Sequence, residues 1–507
     1  MNRPYQLKLP PGAVTSLLLR LEPRSATPLH EQIFEGVRLR ILRGELASGW
    51  RLPSSRQLAA ELDVARSTVL QALDALAAEG YIVTRAGAST RVAPELPIAP
   101  EDRPRSHASR MSRGPRLSHS ARARKPIPVG APRLGTAPRA FRPGVPALDL
   151  FPAALWGRTV TRVHARASTG LLDGGDPLGH APLREAIATH VSSSRGVRCS
   201  AEQVFVTTGT QQAFDEILRI SLDPGDAVWV EDPGYPGVRR AVLAAGGFPA
   251  PVPVDSEGLD VSEGIARARH ARVVMVAPSH QYPLGATLSL VRRMALLKWA
   301  ERTRSVIIED DYDSEFRHRG RPLTALQGLD EAGCVVYVGT FSKSMFPGLR
   351  LGFFVAPPTL VDAFASTRAA FPAPASALEQ AALAVFIEEG HFARHLRRMR
   401  VAYWERGEAL LEALRADCAG ALTPRDCDTG MQLTASLAAP LSDVSVRDEA
   451  ARRGVEVAAL SEYAFSRRRE AGLVFGFGCV RPEALREGTR TLARALEAAQ
   501  GRGGGIE

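Results

Sequence analysis

Cysteine is scarce in this chain. The five present, Cys199, Cys334, Cys418, Cys427 and Cys479, are odd in number, widely spread and form no CxxC pair. A disulfide framework and a cysteine-built zinc site are both excluded, and the histidines are too scattered to suggest another metal. No apolar run reaches the roughly 18 residues of a membrane span. The opening MNRPYQLKLPPG has neither the apolar core nor the cleavage site of a secretion signal. A reduced, cytoplasmic protein without a membrane partner is the expectation. Acidic side chains are also in deficit, 54 against 64 Lys plus Arg, and the deficit is local. Residues 1–96 carry 12 basic and 9 acidic side chains, residues 97–140 carry 10 and 2, and residues 141–507 carry 42 and 43. A basic front on a neutral body implies a polyanion partner at the front, with DNA, RNA and lipid all open on charge alone.

At 507 residues the chain is long enough for two to four domains. Residues 97–140 hold eight prolines and no Phe, Trp or Tyr. They cannot fill a core, so the expectation is a flexible linker between a domain at 1–96 and another at 141–507. A simple tether is expected there in preference to a direct DNA contact, with a charge that could still add weak, salt-sensitive affinity for phosphates.

Ahead of the linker, Leu29, Ile33, Val37 and Ile41 recur every fourth residue after Pro28, predicting a helix that ends by Gly44. Helices over about 55–62 and 65–78 follow, then short extended pieces at 81–84 and 89–92 around a glycine turn. Three helices and a two-stranded ribbon are the layout of a winged helix-turn-helix. The third helix would lie in the major groove, offering Arg66, Ser67, Thr68 and Gln71 to bases and phosphates. Arg51, Ser54 and Arg56 are set for phosphates at the start of the second helix, and Arg85 and Arg91 flank the wing. Val69, Leu70, Leu73, Leu76 and Ala77 supply the stripe that holds the third helix down.

Behind the linker, strand-like runs (203–207, 227–231, 273–277, 306–309, 335–338, 352–355) alternate with helical patterns (182–191, 211–220, 290–303, 377–406). Alternation over this length predicts an α/β fold with a mostly parallel sheet, followed from about 400 by a smaller α+β lobe. The chemistry concentrates at the ends of those strands. Asp310-Asp311-Tyr312 closes one, and Lys343 lies in GTFSKSMFPGLRLG (339–352) after another. A lysine beside Thr340, Ser342 and Arg350 suits a Schiff base with a phosphate-bearing aldehyde: the amine takes the carbonyl carbon, while hydroxyls and guanidinium take the phosphate. Asp310 can pair with a pyridine nitrogen, Tyr312 with a ring hydroxyl, and Tyr235 of EDPGYPG (231–237) can stack on the ring. Thr207-Thr208-Gly209-Thr210-Gln211, joining a strand to a helix, presents backbone N–H groups for phosphate.

PLHEQIFEGVRLRILRGELASGWRLPSSRQLAAELDVARSTVLQALDALAAEGYI resembles the GntR-type winged helix. The ordered set from Tyr235 to Arg350 resembles fold-type I pyridoxal-phosphate aminotransferases over about 145–500. Together with VEDPGYPGVRRAV (230–242), APSHQYPLGATLS (277–289) and EDDYDSEFRHRGRPLTALQ (309–327), the chain is identified as similar to the MocR/GabR subfamily of GntR regulators. The resemblance implies pyridoxal 5'-phosphate as cofactor, Lys343 as Schiff-base lysine, Asp310, Tyr312 and Tyr235 around the ring, and Gly209, Thr210, Thr340, Ser342 and Arg350 as phosphate cup. It also implies a homodimer on double-stranded operator DNA, with head domains able to cross to the partner.

Two departures bear on function. Aminotransferases carry an Asn-Pro-Thr-Gly-type segment whose Asn touches the ring hydroxyl. Tyr282-Pro283-Leu284-Gly285 stands in its place, so that hydrogen bond is either missing or supplied anew by His280 or Gln281. The strand that usually supplies an arginine for a substrate carboxylate reads Gly472-Leu473-Val474-Phe475-Gly476-Phe477, with Arg481 beyond it. A carboxylate deprived of its bidentate partner binds poorly. The expectation is therefore a regulator and not an enzyme, sensing pyridoxal phosphate itself as in a PdxR-like branch controlling vitamin B6 supply. A cofactor-loaded regulator sensing an amine or amino acid, and a true aminotransferase with a DNA tether, are the alternatives.

Overall fold

The computed structural model describes residues 17, 19, 21–23, 25–84, 89–94, 139–318, 323–370, 375–465 and 470–503. Arg85 and linker residues 97–138 lie outside the described residues. The chain divides into two compact units, 1–116 and 117–507.

The first unit is a winged helix. Helices α1 (Leu29–Leu42), α2 (Ser55–Leu62) and α3 (Arg66–Ala78) precede an antiparallel ribbon of β1 (Ile82–Val83) and β2 (Arg91–Val92). The four-residue repeat of α1 buries Ile33, Val37 and Ile41 against Val69, Ala72, Leu73 and Leu76 of α3. Each fully buried aliphatic contributes about 1.5–3 kcal/mol. Leu70 does not belong to that stripe: it is 39% exposed, and Ala72 takes the inward place. Val69, Ala72, Leu73 and Leu76 follow the i, i+3, i+4, i+7 spacing of one helical face, which Leu70 does not join.

The second unit is built on an eight-stranded sheet with order β3–β10–β9–β8–β7–β4–β5–β6. The strands are β3 (Val204–Thr207), β4 (Ala227–Asp232), β5 (Phe248–Asp255), β6 (Gly258–Leu259), β7 (Val273–Val276), β8 (Val306–Asp311), β9 (Val335–Thr340) and β10 (Gly352–Val355). β5, β4, β7, β8 and β9 run parallel in that sequence, whereas β10 is antiparallel to both β9 and β3. The middle strands are near-continuous apolar runs because helices cover both faces. One face packs Phe205, Phe214, Ile217 and Phe354, the other Trp229 stacked on Trp299 at 4.1 Å.

Sequence patterning overlooked β5, whose FPAPVPVD carries a proline at every second position. The Phe248 N–H donates to Asp226 O at 2.7 Å, toward β4. By the period of two, Pro249, Pro251 and Pro253, which lack an N–H, all turn their nitrogens away from β4. The helical pattern at 377–406 is also two helices and not one. Ala377–Glu388 ends before Gly390, whose φ of +70° breaks the run, and His391–Asp417 begins anew. The C-terminal lobe pairs that long helix with Pro482–Gly503 and an antiparallel sheet of order β11–β12–β14–β13: β11 (Leu422–Pro424), β12 (Gln432–Leu437), β13 (Ala458–Ala459) and β14 (Gly472–Gly476). Among the described residues no helix is long and apolar enough to cross a membrane, and no group of three or more His, Cys, Asp or Glu side chains could hold a metal ion.

Candidate functional site

In the first unit, Arg51, Arg56, Arg66, Ser67 and Gln71 are exposed and Thr68 is half-buried. Three of the residues expected at the DNA have internal partners. Ser54 is the N-cap of α2: its Oγ accepts from the Gln57 N–H at 3.3 Å, and the Ser54 N–H donates to Gln57 Oε1 at 3.0 Å. That reciprocal pair satisfies the first turn of α2 and gives Ser54 a structural role irrespective of phosphate. Arg91 donates to Gly49 O at 3.0 Å, fixing the root of the wing, and Arg66 donates to Ser55 Oγ at 3.2 Å, bridging α3 and α2.

In the second unit the parallel strands determine where chemistry collects. The carboxyl ends of β3, β4, β7, β8 and β9 share one edge of the sheet, and the amino end of antiparallel β10 meets them there. Ligands of open α/β sheets bind beyond such an edge. A cavity of ≈ 350 Å³ opens at this position, and Gly209, Thr210, Gln211, Tyr235, Asp310, Tyr312, Thr340, Ser342, Lys343 and Arg350 all line it. Of the residues expected at the cofactor, only His280 stands outside. It sits one layer behind, with Nδ1 3.2 Å from the Tyr312 hydroxyl and 2.9 Å from Asp313 Oδ1.

Asp310 stands at the end of β8 with Oδ1 buried and without a hydrogen-bond partner. Burial, with Asp311 and Asp313 adding repulsion, pushes its carboxyl up to about 7, against the pull of Lys343. Its neighbour Asp311 is engaged elsewhere: Arg195 Nε donates to it at 2.8 Å and the Tyr337 hydroxyl at 2.7 Å. Burial lowers the Lys343 ammonium from its ordinary value, opposed by Asp313 and Asp310, and Nζ donates to Gly144 O. A lysine so desolvated gives up its proton more readily, which an amine nucleophile requires.

The loop from β3 into the helix Thr210–Ser221 forms one end of the cavity. Gly209 is the N-cap with φ +128° and makes no side-chain cap, so the first N–H groups of a 12-residue helix face the cavity. A Cβ on Gly352 would stand 2.9 Å from Gly209 Cα, so only glycine lets this loop approach β10. The Arg350 guanidinium, just before β10, has no ion-pair or hydrogen-bond partner among the described residues. The residues fit a pyridoxal phosphate on these observations: an unpartnered buried carboxyl, a desolvated amine, and an unpaired guanidinium beside a helix N-terminus.

Sequence reasoning missed Tyr282, Gln432, Pro143 and Gly144. Tyr282 itself occupies the wall, its hydroxyl donating to that of Tyr463 at 2.9 Å, while Gln281 turns away toward Pro233 O. Gln432, from β12, donates to the Tyr312 hydroxyl at 3.1 Å. Tyr282 stands in the segment that replaces Asn-Pro-Thr-Gly, whereas Gln432, Pro143 and Gly144 have no local motif, and only the docking of the C-terminal lobe brings Gln432 to the wall. Arg481 lies beyond β14, exposed, 3.9 Å from Asp149. Lys343 and Arg350 are the only cations among the described lining residues.

Two family patterns match the chain: bacterial regulatory proteins of the gntR family over 29–92, and aminotransferase class I and II over 152–468. The probable rhizopine catabolism regulatory protein MocR of Rhizobium meliloti is 41% identical across 96% of this chain and 97% of that one. The HTH-type pyridoxine biosynthesis transcriptional regulator PdxR of Corynebacterium glutamicum is 32% identical across 93% of this chain and 97% of that one. Among solved structures, the α-aminoadipate aminotransferase LysN of Thermus thermophilus, complexed with N-(5'-phosphopyridoxyl)-L-leucine, is 29% identical with a TM-score of 0.66, over 71% of this chain and 92% of its own. A GntR head and an aminotransferase body, shared end to end with these regulators, mean that the chain belongs to the MocR/GabR-type GntR transcriptional regulators.

Proposed function

We propose that this regulator senses pyridoxal 5'-phosphate and controls genes of vitamin B6 metabolism, acting as a homodimer on two-part operator DNA without enzymatic turnover. The main support is the buried Asp310, whose Oδ1 has no partner, lining the same cavity as the desolvated Lys343. When bound, the cofactor supplies an aldehyde carbon open to amine attack and an electron-withdrawing ring. Lys343 would provide the amine, Asp310 the charge for the ring nitrogen, Tyr312 a donor for the ring hydroxyl and Tyr235 the stacking face. Gly209, Thr210, Gln211, Thr340, Ser342 and Arg350 would hold the phosphate. Arg51, Arg56, Arg66, Ser67, Thr68, Gln71 and Arg91 would meet the operator. With no further cation on the described wall, a substrate carboxylate lacks a bidentate partner, which weighs against transamination. The PdxR relative is named for pyridoxine biosynthesis, in keeping with a B6 ligand.

A ligand shifts the DNA heads only if it binds their two arrangements with different affinity. The test is operator affinity with and without pyridoxal phosphate. A shift of roughly tenfold is expected for the unsubstituted chain and none for Lys343→Ala; equal affinities throughout defeat the proposal. A second reading, cofactor held permanently and an amine sensed, is favoured by the wall of Tyr282 and Gln432 beyond the cofactor residues and by a relative named for rhizopine catabolism. It predicts a specific absorbance change when amines meet the loaded protein. Steady transamination at ordinary rates would instead identify an enzyme.

A further inference from the structure

Behind Asp310 lies a second, smaller cavity of ≈ 20 Å³, lined by Glu231, Tyr235, Val238, Met275, Val276, Ala277, Tyr282, Ile308 and Asp310. Glu231 is the penultimate residue of β4 and is 8% exposed. Its oxygens receive little. The Ala277 N–H reaches Oε1 at 3.4 Å, and Gln281 Nε2 reaches Oε2 at 3.3 Å. The same Nε2 has better acceptors in Tyr282 O at 2.7 Å and Pro233 O at 2.9 Å, which use both of its hydrogens. The amide cannot flip to improve matters, because Gln281 Oε1 accepts from the Leu284 N–H at 3.1 Å. Two long, shared contacts do not sustain a buried negative charge.

A carboxyl in that position takes a proton and then needs an acceptor. Asp310 also lines the small cavity, and its buried Oδ1 has no partner. The space suits one water, which needs about 10–15 Å³. We propose that Glu231 is a positioning residue for the cofactor site: its protonated carboxyl donates through a single enclosed water to Asp310, holding the negative charge on the carboxyl that faces Lys343. This rests on the cofactor reading only for its consequence, not for the proton itself. Burial raises both carboxyls, but Lys343 pulls Asp310 back toward its charged form whereas Asp310 itself raises Glu231, so the proton settles on Glu231. The groups facing the pair from neighbouring elements are Asp311, Asp313, Lys343, Tyr235, Tyr282 and Tyr312.

Infrared spectroscopy of the full-length chain before any vitamer is added tests the proton directly. Among the protonated-carboxyl bands, the component that disappears as pH rises through about 8, above those of Glu309 and Glu315 near 7, is expected to belong to Glu231, and Glu231→Gln should remove it. Pyridoxal phosphate titrations followed by absorbance test the consequence. Glu231→Gln keeps a neutral donor and should bind within about twofold of the unsubstituted chain, whereas Glu231→Leu should bind roughly tenfold more weakly. A component titrating near pH 8 that survives Glu231→Gln, or equal binding by the Gln and Leu variants, overturns the proposal. If the unsubstituted chain binds no vitamer, the cofactor reading fails while the infrared result still decides the protonation of Glu231.

Discussion

Each side chain at the phosphate end has a distinct physical task, and Arg350 isolates one of them. Its guanidinium has no partner among the described residues, so removing it leaves no internal carboxylate unpaired. Arg350→Ala is expected to weaken pyridoxal phosphate binding by roughly tenfold to a hundredfold, the range for removing a charge-assisted hydrogen bond. Borohydride reduction at saturating vitamer should still label Lys343, since the amine is untouched; an unlabelled Lys343 would mean that Arg350 holds the fold and not the phosphate. Lys343, Asp310, Tyr312 and Tyr235 were legible in the sequence because each sits at a strand end in a short run of characteristic residues. His280 was legible as a candidate but not in its place, since its contact with Tyr312 and Asp313 depends on how two loops stack.

At the level of single elements, α2 separates capping from phosphate binding. Ser54→Ala removes the reciprocal Ser54–Gln57 pair and should destabilise α2 by about 1 kcal/mol, read as faster hydrogen exchange of its amides. Arg56→Ala leaves the cap intact and should instead weaken operator binding uniformly and reduce its salt slope by about one. If Ser54→Ala changed only the salt slope, its side chain would be a phosphate contact after all. The helices and inner strands were foreseeable from periodicity, as with Leu290–Thr303. β5 was not, because alternating prolines read as a loop until a neighbouring strand accepts the other side of the backbone.

The whole body carries opposing titrations. Burial lifts Glu231 to about 8 and Glu309 to about 7. Above the ordinary carboxylate range the folded state keeps protons that the unfolded state has lost, so these groups reduce stability as pH rises. Burial acts inversely at His190 and His395, both driven down to about 4, so they reduce stability as pH falls below the ordinary value of about 6.5. The two pairs oppose each other between about pH 4.5 and 6.5, and only the carboxyls titrate above that. Melting of the vitamer-free chain should therefore show its highest Tm on the acid side of neutrality, then a decline to pH 8 of up to about 1.4 kcal/mol per pH unit and carboxyl. A Tm that rises steadily from pH 6 to 8 would contradict these buried states.

Local order was within reach of the sequence, because helix periodicity, strand runs, turn residues and strand-end motifs act over a few neighbours in the chain. That sufficed for the winged helix, the parallel sheet and most of the residues that line the cavity. The tertiary structure alone decided which groups meet across distance: Gln432 from β12 on the Tyr312 hydroxyl, Tyr282 in the wall, and Glu231 from β4 sharing an enclosed space with Asp310 from β8. Those meetings depend on the order of strands and the docking of the lobe, long-range packing that no short stretch of residues encodes.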